Sequence, residues 1–429
     1  MSENNMDQLL QIVKFIEEYV QAGNDIKDVT VRVLEDAGVS TQKKLERLGG
    51  LNKIKKSYFP DEKKDLAAQT KLNRTNSYIG KLEKQLGSKE INNEIIKNIT
   101  NKIAPIPKPK LPKFKLNSKE LKRDLVVMLN DTHYGLIVDS ESVGNTNSFS
   151  WKEACRRTAM VIKEAIEYKP HARSSVDTLH LVLAGDHLAG TIHALPTKTQ
   201  DLFVHQMNGF IHILTHAINS LALNFKKVKV YGIGGNHDNM SHKREHGQRI
   251  TVEFFDSYAN IAYYALSTAF QNFNNVEFVI PKTPYVFIDL PAGRAMAVHG
   301  DSIFSKALGN PGSNVNIKSL TNEIRNFNSG EQLKGLPPIK LLLAGHTHSY
   351  VHFVTRDGVD VLNAPSLSGV DEYAHQLNIN NNFIGQVLFE STKNFILGDK
   401  RLVRLNSADN DSSLDKIIPI YNKGLKWQK

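Results

Sequence analysis

The chain has little cysteine and no long apolar run. Cys155 is the only cysteine among 429 residues, which excludes an intramolecular disulfide framework and suits a reducing cytoplasm. No apolar stretch approaches the roughly 18 residues of a membrane helix. The first residues, 1–7, are polar and acidic, unlike a secretory signal. These absences predict a cytoplasmic protein without a membrane partner, in which Cys155 is a small buried apolar residue.

Charge is distributed unevenly along the chain. The net charge is +10 in total, −5 over residues 1–40 and +12 over residues 41–120. All 16 histidines lie between His133 and His375. The basic segment and the histidine-rich segment are therefore separate, which indicates separate roles. The length predicts two or three domains.

Four regions follow from the patterning. Residues 1–60 have apolar residues at helical spacing, and residues 61–120 form a basic helical arm that ends in a stiff Pro- and Lys-rich linker. Residues 121–400 alternate strands with helices, typical of an α/β sandwich with mixed sheets. Residues 401–429 are predicted to be a C-terminal tail. Strands are expected over 125–129, 179–184, 228–233, 277–280, 285–290, 295–298, 341–344, 350–355, 359–362, 384–390 and 394–397, and helices over 151–168, 200–223, 247–270 and 316–327.

Two short helices, 41–48 and 51–58, flank a Gly49-Gly50 turn. They could form a helix-turn-helix that docks on nucleic acid. The cations expected near phosphates are Lys43, Lys44, Arg47, Lys53, Lys55 and Lys56. The alternative for these two helices is a small helical bundle with a solvated basic face. The segment 61–103 is predicted to be either a helical arm or a self-association element, which would make the protein a homo-oligomer.

Polar residues follow five apolar runs in the α/β region. The five motifs are Asp131-Thr-His133, Gly185-Asp186, Gly235-Asn-His-Asp238, His299-Gly300 and Gly345-His-Thr-His348. Each motif alone is a weak signal, but all five behind apolar runs are improbable by chance. Because open α/β sheets bind ligands at the ends of their strands, these side chains are expected to meet.

Carboxylates and imidazoles in these motifs suit Mn, Fe, Zn or Ni, and no thiolate accompanies them, which disfavours a structural zinc site. Seven ligands suffice for two ions if one carboxylate bridges. Two ions about 3.5–4 Å apart would clamp a phosphoryl group and activate a bridging water as hydroxide for in-line attack. The polar side chains expected to meet at the strand ends are Asp131, His133, Asp186, Asn236, His237, His299, His346 and His348.

The order of the motifs resembles that of the calcineurin-like metallophosphoesterases, over about 220 of the 429 residues. The resemblance implies a two-sheet α/β sandwich with two divalent ions, Mn before Fe, Ni or Zn. It implies a first ion on Asp131, His133, Asp186 and His348, and a second on Asp186, Asn236, His299 and His346. It also implies that His237, oriented by Asp238, protonates the leaving oxygen or stabilises the transition state.

The sequence departs from the family pattern at one position that concerns substrate binding. The arginine with which some relatives grip phosphate is missing after Gly185-Asp186. Local candidates to replace it are His187, His193, Lys198, Lys243, Arg244 and His246, although each could equally be a solvated loop residue. Segments 236–246 and 365–373 also resemble a phage-encoded branch of the family, which would place the protein in a host cytoplasm.

Three functions are therefore compatible with the sequence. The first is a phosphoesterase that acts on nucleic acid, as a nuclease or in DNA end processing, because a basic segment accompanies the predicted metal site. The second is a small-molecule phosphomonoesterase or phosphodiesterase whose N-terminal region only docks or oligomerises. The third is a catalytically silent binding protein, against which the retained His237 argues.

Overall fold

The computed structural model describes two units of the chain. The described residues are 3–47, 49–58, 105–107, 109, 123–168, 176–190, 200–239, 244–245, 248–249, 256–376, 383–406 and 411–423. The chain divides into compact units Met1–Ile95 and Ile96–Lys429. No helix among these residues is long and apolar enough to cross a bilayer. The predicted arm 61–103 lies outside the described residues, as does most of the linker.

The N-terminal unit is a small helical bundle. Its helices are α1 (Glu3–Gln21), α2 (Val31–Asp36), α3 (Gln42–Arg47) and α4 (Leu51–Tyr58), with a short 3₁₀ helix at Ile26–Asp28. The apolar residues at helical spacing face inward and form one core; it includes Leu9, Ile12, Ile16, Leu34, Leu45 and Ile54. Gly49 and Gly50 take φ of 92° and 90°, which glycine adopts without strain. The helices predicted here are confirmed, while a role in nucleic-acid binding stays a prediction.

The second unit is built on two sheets. The strands of the first sheet are β1 (Arg123–Leu129), β2 (Val176–Ala184), β3 (Val228–Ile233), β6 (Val276–Val279), β12 (Gly385–Thr392) and β13 (Lys400–Arg404). The strands of the second sheet are β7 (Tyr285–Leu290), β8 (Gly293–Val298), β9 (Ile339–Ala344), β10 (Val351–Val354) and β11 (Asp360–Asn363). The strand order is β13-β12-β1-β2-β3-β6 in the first sheet and β10-β11-β9-β8-β7 in the second. A two-stranded ribbon pairs β4 (Arg244–Glu245) with β5 (Gln248–Arg249).

Helices cover the outer face of each sheet. The helices are α5 (Trp151–Ile166), α6 (Phe203–Asn224), α7 (Tyr258–Ala269), α8 (Ser305–Leu308), α9 (Ile317–Leu333), α10 (Glu372–Gln376) and α11 (Leu414–Ile417). Residues of α5, α6 and α7 share a core with the first sheet, and residues of α8 and α9 share one with the second. A third core lies between the sheets. The predicted two-sheet α/β sandwich is confirmed.

Continuous apolar runs arise because the central strands are buried on both faces. In β1, Leu125 and Val127 face the helices, whereas Val126 and Met128 face the other sheet. Strands β1, β2, β3 and β6 are parallel, and so are β8, β9 and β11. Their carboxyl ends carry the motif loops.

Three predicted elements are corrected. The tail predicted over 401–429 is wrong for the described residues 401–406 and 411–423, because β13 pairs with β12, and Leu405, Leu414 and Ile418 enter the core. The predicted strand 394–397 is irregular, and β13 takes its place at the sheet edge, where Lys400, Arg401 and Arg404 hide the strand pattern. The helix predicted over 247–270 begins only at Tyr258; Ser257 caps it by accepting from the Ala259 N–H at 3.2 Å.

Candidate metal centre

The five motif loops meet at the carboxyl ends of five strands. Asp131 and His133 follow β1, Asp186 follows β2, His299 follows β8 and the two histidines 346 and 348 follow β9. Asn236 and His237 follow β3. Backbone bonds join the loops of β1 and β2 directly, since Asp131 N–H donates to the Gly185 carbonyl and His133 N–H donates to the Asp186 carbonyl, both at 3.0 Å.

Asp131, His133 and His348 form a first triad of metal-ligating side chains. One ligand atom from each lies within 4.8 Å of the others. His348 Nε2 lies 3.4 Å from both His133 Nε2 and Asp131 Oδ1. Burial would raise the pKa of Asp131, but the imidazoles of His348 and His299 outweigh it and hold that pKa well below its usual range. Asp131 is therefore ionised, as a metal ligand must be.

Asp186, His299 and His346 form a second triad within the same 4.8 Å limit. His299 Nδ1–H donates to the Ala184 carbonyl at 2.9 Å, which turns Nε2 toward Asp186 Oδ2 at 3.1 Å. In neutral His299 these two atoms would both be acceptors, so their contact requires a proton or a metal cation between them. Burial opposes a charge on His299, yet the carboxylates of Asp186 and Asp131 outweigh it and raise its pKa well above the usual value.

Two buried polar atoms indicate that a cation fits this site. Asn236 Oδ1 is buried and has no hydrogen-bond partner among the described residues, and His299 Nε2 faces the Asp186 carboxylate at 3.1 Å. Buried polar atoms without partners are rare and call for an explanation such as an ion. Amide oxygen, carboxylate and imidazole together suit Mn, Fe, Zn or Ni, and a bound His commonly donates its other N–H to a carbonyl, as His299 does. The residues present fit a pair of divalent ions.

Backbone strain is concentrated in these loops. Five of the seven non-glycine residues with positive φ in the described chain are candidate ligands: Asp131, His133, Asp186, His346 and His348, with φ between 42° and 65°. Each such residue costs of order 1–3 kcal/mol and persists only where its surroundings fix it. At Gly235 an added Cβ would lie 2.2 Å from Asp186 Oδ1, so only glycine allows this close approach. Strain of this kind is typical of functional sites.

His237 lies beside the first triad. Its ring is perpendicular to that of His133, with centroids 4.6 Å apart. Its Nδ1–H donates to the Ala189 carbonyl at 2.9 Å, and its backbone N–H donates to Asp186 Oδ1 at 2.8 Å. The ring is thus oriented with Nε2 on the opposite side from Ala189.

The predicted role of Asp238 is corrected. Its buried carboxylate accepts backbone N–H groups of His187 and Leu188, each at 3.1 Å, and of Gly235 at 2.9 Å. The Ala189 carbonyl, not Asp238, receives the proton of His237 Nδ1. Burial and the nearby Asp186 carboxylate raise the pKa of Asp238 to about 7. Asp238 therefore fixes the loops that carry Asp186 and His237.

The predicted contact between His187 and substrate is also wrong. His187 is 0% exposed, stacks on Phe210 with ring centroids 5.1 Å apart and places Nδ1 3.1 Å from Thr132 Oγ1. Burial lowers the pKa of His187 to about 3. It is a neutral packing residue that ties together the loops after β1 and β2.

The remaining predicted contacts are only partly described. His193, Lys198, Lys243 and His246 lie outside the described residues, and only the backbone of Arg244 is described, in β4. Lys43, Lys44 and Lys53 are exposed on α3 and α4. Arg47 and Lys56 lie on the same helices, with side chains outside the described part. Lys55 Nζ donates to the Ile26 carbonyl at 2.6 Å, so this side chain also holds the bundle together, and its contact with nucleic acid stays a prediction.

Two buried polar residues behind Asp131 were not among the predicted site residues. Asn130 Nδ2 donates to Asp131 Oδ2 at 2.5 Å. Gln386 accepts the Asn130 N–H at 3.0 Å and donates to the Asn130 carbonyl at 3.1 Å. Asn130 directly precedes the Asp131-Thr-His133 motif, and this position in the sequence could have identified it. Gln386 is 256 positions away from Asn130, and no motif near it points to the site.

No protein-family model matches the chain, and a search of curated proteins found no relative. Several solved structures resemble it. A conserved uncharacterised protein of Streptococcus pneumoniae, described as a predicted phosphoesterase, shares 10% identity over 66% of this chain and 98% of its own, with a TM-score of 0.25. A dimetal phosphatase of Danio rerio shares 8% sequence identity over 66% of this chain and 99% of its own, with a TM-score of 0.33. A 5′-nucleotidase of Candida albicans shares 12% sequence identity over 72% of this chain and 56% of its own, with a TM-score of 0.32.

Proposed function

We propose that this chain is a dinuclear metal-dependent phosphoesterase that acts on nucleic acid. The observation that carries the proposal is that two triads of side chains suited to metal binding lie on neighbouring loops. Backbone bonds between the loops of Asp131 and Asp186 join the two triads, and the His237 ring packs against His133 of the first triad. Two divalent ions held there would polarise a phosphoryl group and acidify a water enough to attack it at neutral pH.

His237 is proposed as the general acid. In its protonated form it would transfer the Nε2 proton to the leaving oxygen as the P–O bond breaks, while Nδ1–H stays bonded to the Ala189 carbonyl. The backbone bond from His237 to Asp186 Oδ1 couples the position of the acid to that of the second triad. Imidazole suits this role because its pKa lies near neutrality.

The first experiment is hydrolysis by Mn-loaded protein of three substrates in parallel: a bis-aryl phosphodiester, an aryl phosphate and labelled linear DNA. The proposal predicts cleavage of the diester and of DNA. Cleavage of small substrates alone would support the small-molecule alternative. Metal binding without cleavage of any of the three would support the silent binding protein.

The nucleic-acid part of the proposal is supported by charge. Lys43, Lys44 and Lys53 are exposed and belong to a segment of net charge +12. Cations in such a segment bind phosphates without sequence preference and release counterions. The same charge could serve an acidic protein partner, so DNA affinity itself must be measured.

Replacing these three lysines by alanine in the full-length protein tests this point. If all three contact phosphates of duplex DNA, the slope of log K against log salt should become shallower by about 2.7, since each contact contributes about 0.9. The matched control replaces Lys152, Lys318 and Lys393, three exposed lysines of the second unit. Equal slopes in the two triple variants would exclude the N-terminal helices as the DNA contact.

A further inference from the structure

We propose that Arg157 is a positioning residue for the first metal triad, acting through a buried segment, 366–370, that holds the strained backbone of Asp131. The inference rests on the proposed function, because it concerns the geometry of a metal ligand. Arg157 lies on α5, away from the motif loops in sequence, and touches none of the candidate ligands directly.

The Arg157 guanidinium is buried and fully bonded. Arg157 is 3% exposed. Nη1 donates to the carbonyls of Leu367 and Ser368 at 2.9 and 2.8 Å. Nη2 donates to Asn147 Oδ1 at 2.8 Å and to the Ser148 carbonyl at 3.1 Å, and Nε donates to Glu153 Oε1 at 2.8 Å. All five N–H groups of the guanidinium therefore have acceptors, which offsets the cost of burying the charge.

Asn147 reinforces the same contact. Its Nδ2 donates to the carbonyls of Ser368 and Val370 at 2.9 and 2.8 Å, while its Oδ1 receives Arg157. Three carbonyls of the segment are thus held by two side chains that also hold each other. The segment is fixed from the side of α5.

The other side of the segment holds Asp131. Ser366 Oγ donates to the Asp131 carbonyl at 3.0 Å, and the Ser368 N–H donates to the same oxygen at 3.3 Å. The two serine hydroxyls lie 2.9 Å apart and support each other. Asp131 has φ of 48°, a conformation that costs a non-glycine residue about 1–3 kcal/mol unless its surroundings fix it. Two bonds to one carbonyl supply part of that restraint.

Lysine cannot replace Arg157 in this arrangement. It has three donors on a flexible stem, whereas arginine has five in a rigid plane. Arg157→Lys would keep the charge and release at least one carbonyl of the segment. Asp131 would then be less well positioned. The second triad is linked to Asp131 only through the His346 loop, because the His346 N–H donates to Asp131 Oδ1 and Oδ2 at 3.2 and 3.0 Å, so its metal affinity should change less than that of the first triad.

The test is Mn²⁺ binding to the full-length Arg157→Lys protein, with the two affinities resolved by calorimetry. We expect the affinity of the first triad to fall by about 10–100-fold, the usual effect of losing a group that orients a ligand, and the affinity of the second triad to fall by much less. His348→Ala, which removes a ligand of the first triad, should retain that same second affinity. Ser366→Ala, which leaves Arg157 intact, should weaken the same site.

The matched control is Arg156→Lys. Arg156 precedes Arg157 on α5, and its Nη2 donates to Glu153 Oε1 at 2.6 Å and to the Leu405 carbonyl at 3.2 Å. Unchanged Mn²⁺ affinities in both Arg157→Lys and Ser366→Ala would overturn the inference, even if thermal stability falls. Equal losses of affinity in the Arg156 and Arg157 variants would also overturn it. Absence of Mn²⁺ binding by the unchanged protein would overturn the proposed function and this inference together.

Discussion

His237 is the residue on which the proposed chemistry depends most directly. His237→Ala should keep both ions, because its side chain belongs to neither triad, but should reduce turnover by about 10²–10⁴-fold through loss of the general acid. Metal content and steady-state kinetics measure the two effects separately. His205→Ala is the control, since His205 lies on α6 and bonds Asp201. Full turnover by the His237 variant would remove it from the mechanism.

Cys155 is expected to be chemically inert. It is buried in the helix layer, and burial raises the pKa of its thiol to about 11, so little thiolate forms at neutral pH. A chromogenic disulfide reagent at pH 8 should label no thiol in the folded protein and one after denaturation. Rapid labelling without denaturant would show that α5 and the C-terminal residues packed on it open readily.

For single residues, the sequence predicts which types of side chain form the site better than it predicts the role of each one. The two triads contain six of the seven predicted ligands, because metal ligation demands particular side chains after strand ends. Asp238 and His187 were misassigned, since a motif does not reveal which side chains turn inward. Arg157 and Gln386 were missed, because their partners are remote in sequence.

A buried ion pair joins two neighbouring strands of the first sheet. Arg123 of β1 bonds both carboxylate oxygens of Glu390 of β12, at 2.5 and 2.7 Å, and Tyr168 OH donates to Glu390 at 3.1 Å. Glu390→Gln would leave Arg123 buried without its counter-charge. We expect a loss of about 3–5 kcal/mol in the free energy of unfolding, measured by urea denaturation.

An exposed pair provides the comparison. Arg325 and Asp357 join α9 to the β10–β11 turn with side chains 47% and 40% exposed. Asp357→Asn should lower the free energy of unfolding by at most about 1 kcal/mol, because solvent screens the pair. Equal losses in Asp357→Asn and Glu390→Gln would mean that burial does not determine the strength of the ion pair between Arg123 and Glu390.

Elements were predictable where periodicity and burial agree. The central strands have continuous apolar runs because a layer covers each face, and α1, α3 and α4 follow from apolar spacing and a glycine turn. Edge strand β13 was missed because charge suits an edge as well as a tail. The start of α7 was misplaced because apolar residues before Ser257 continue the helical pattern.

The whole molecule combines a small helical bundle with an α/β sandwich, and the two carry different parts of the proposal. The alternation of strands and helices was sufficient to predict the sandwich, and the motifs were sufficient to predict which side chains form the two triads. They could not predict what the bundle binds, because exposed lysines suit nucleic acid and acidic proteins alike.

The most direct measurement of the central claim is the rate of hydrolysis of a bis-aryl phosphodiester as Mn²⁺ is titrated into metal-free protein. A dinuclear phosphoesterase predicts a rate that rises from background and saturates near two ions per chain. Asp186→Ala should stay near background throughout, because it removes a carboxylate of the second triad. No metal-dependent hydrolysis of this diester or of an aryl phosphate, with two ions bound, would contradict the account.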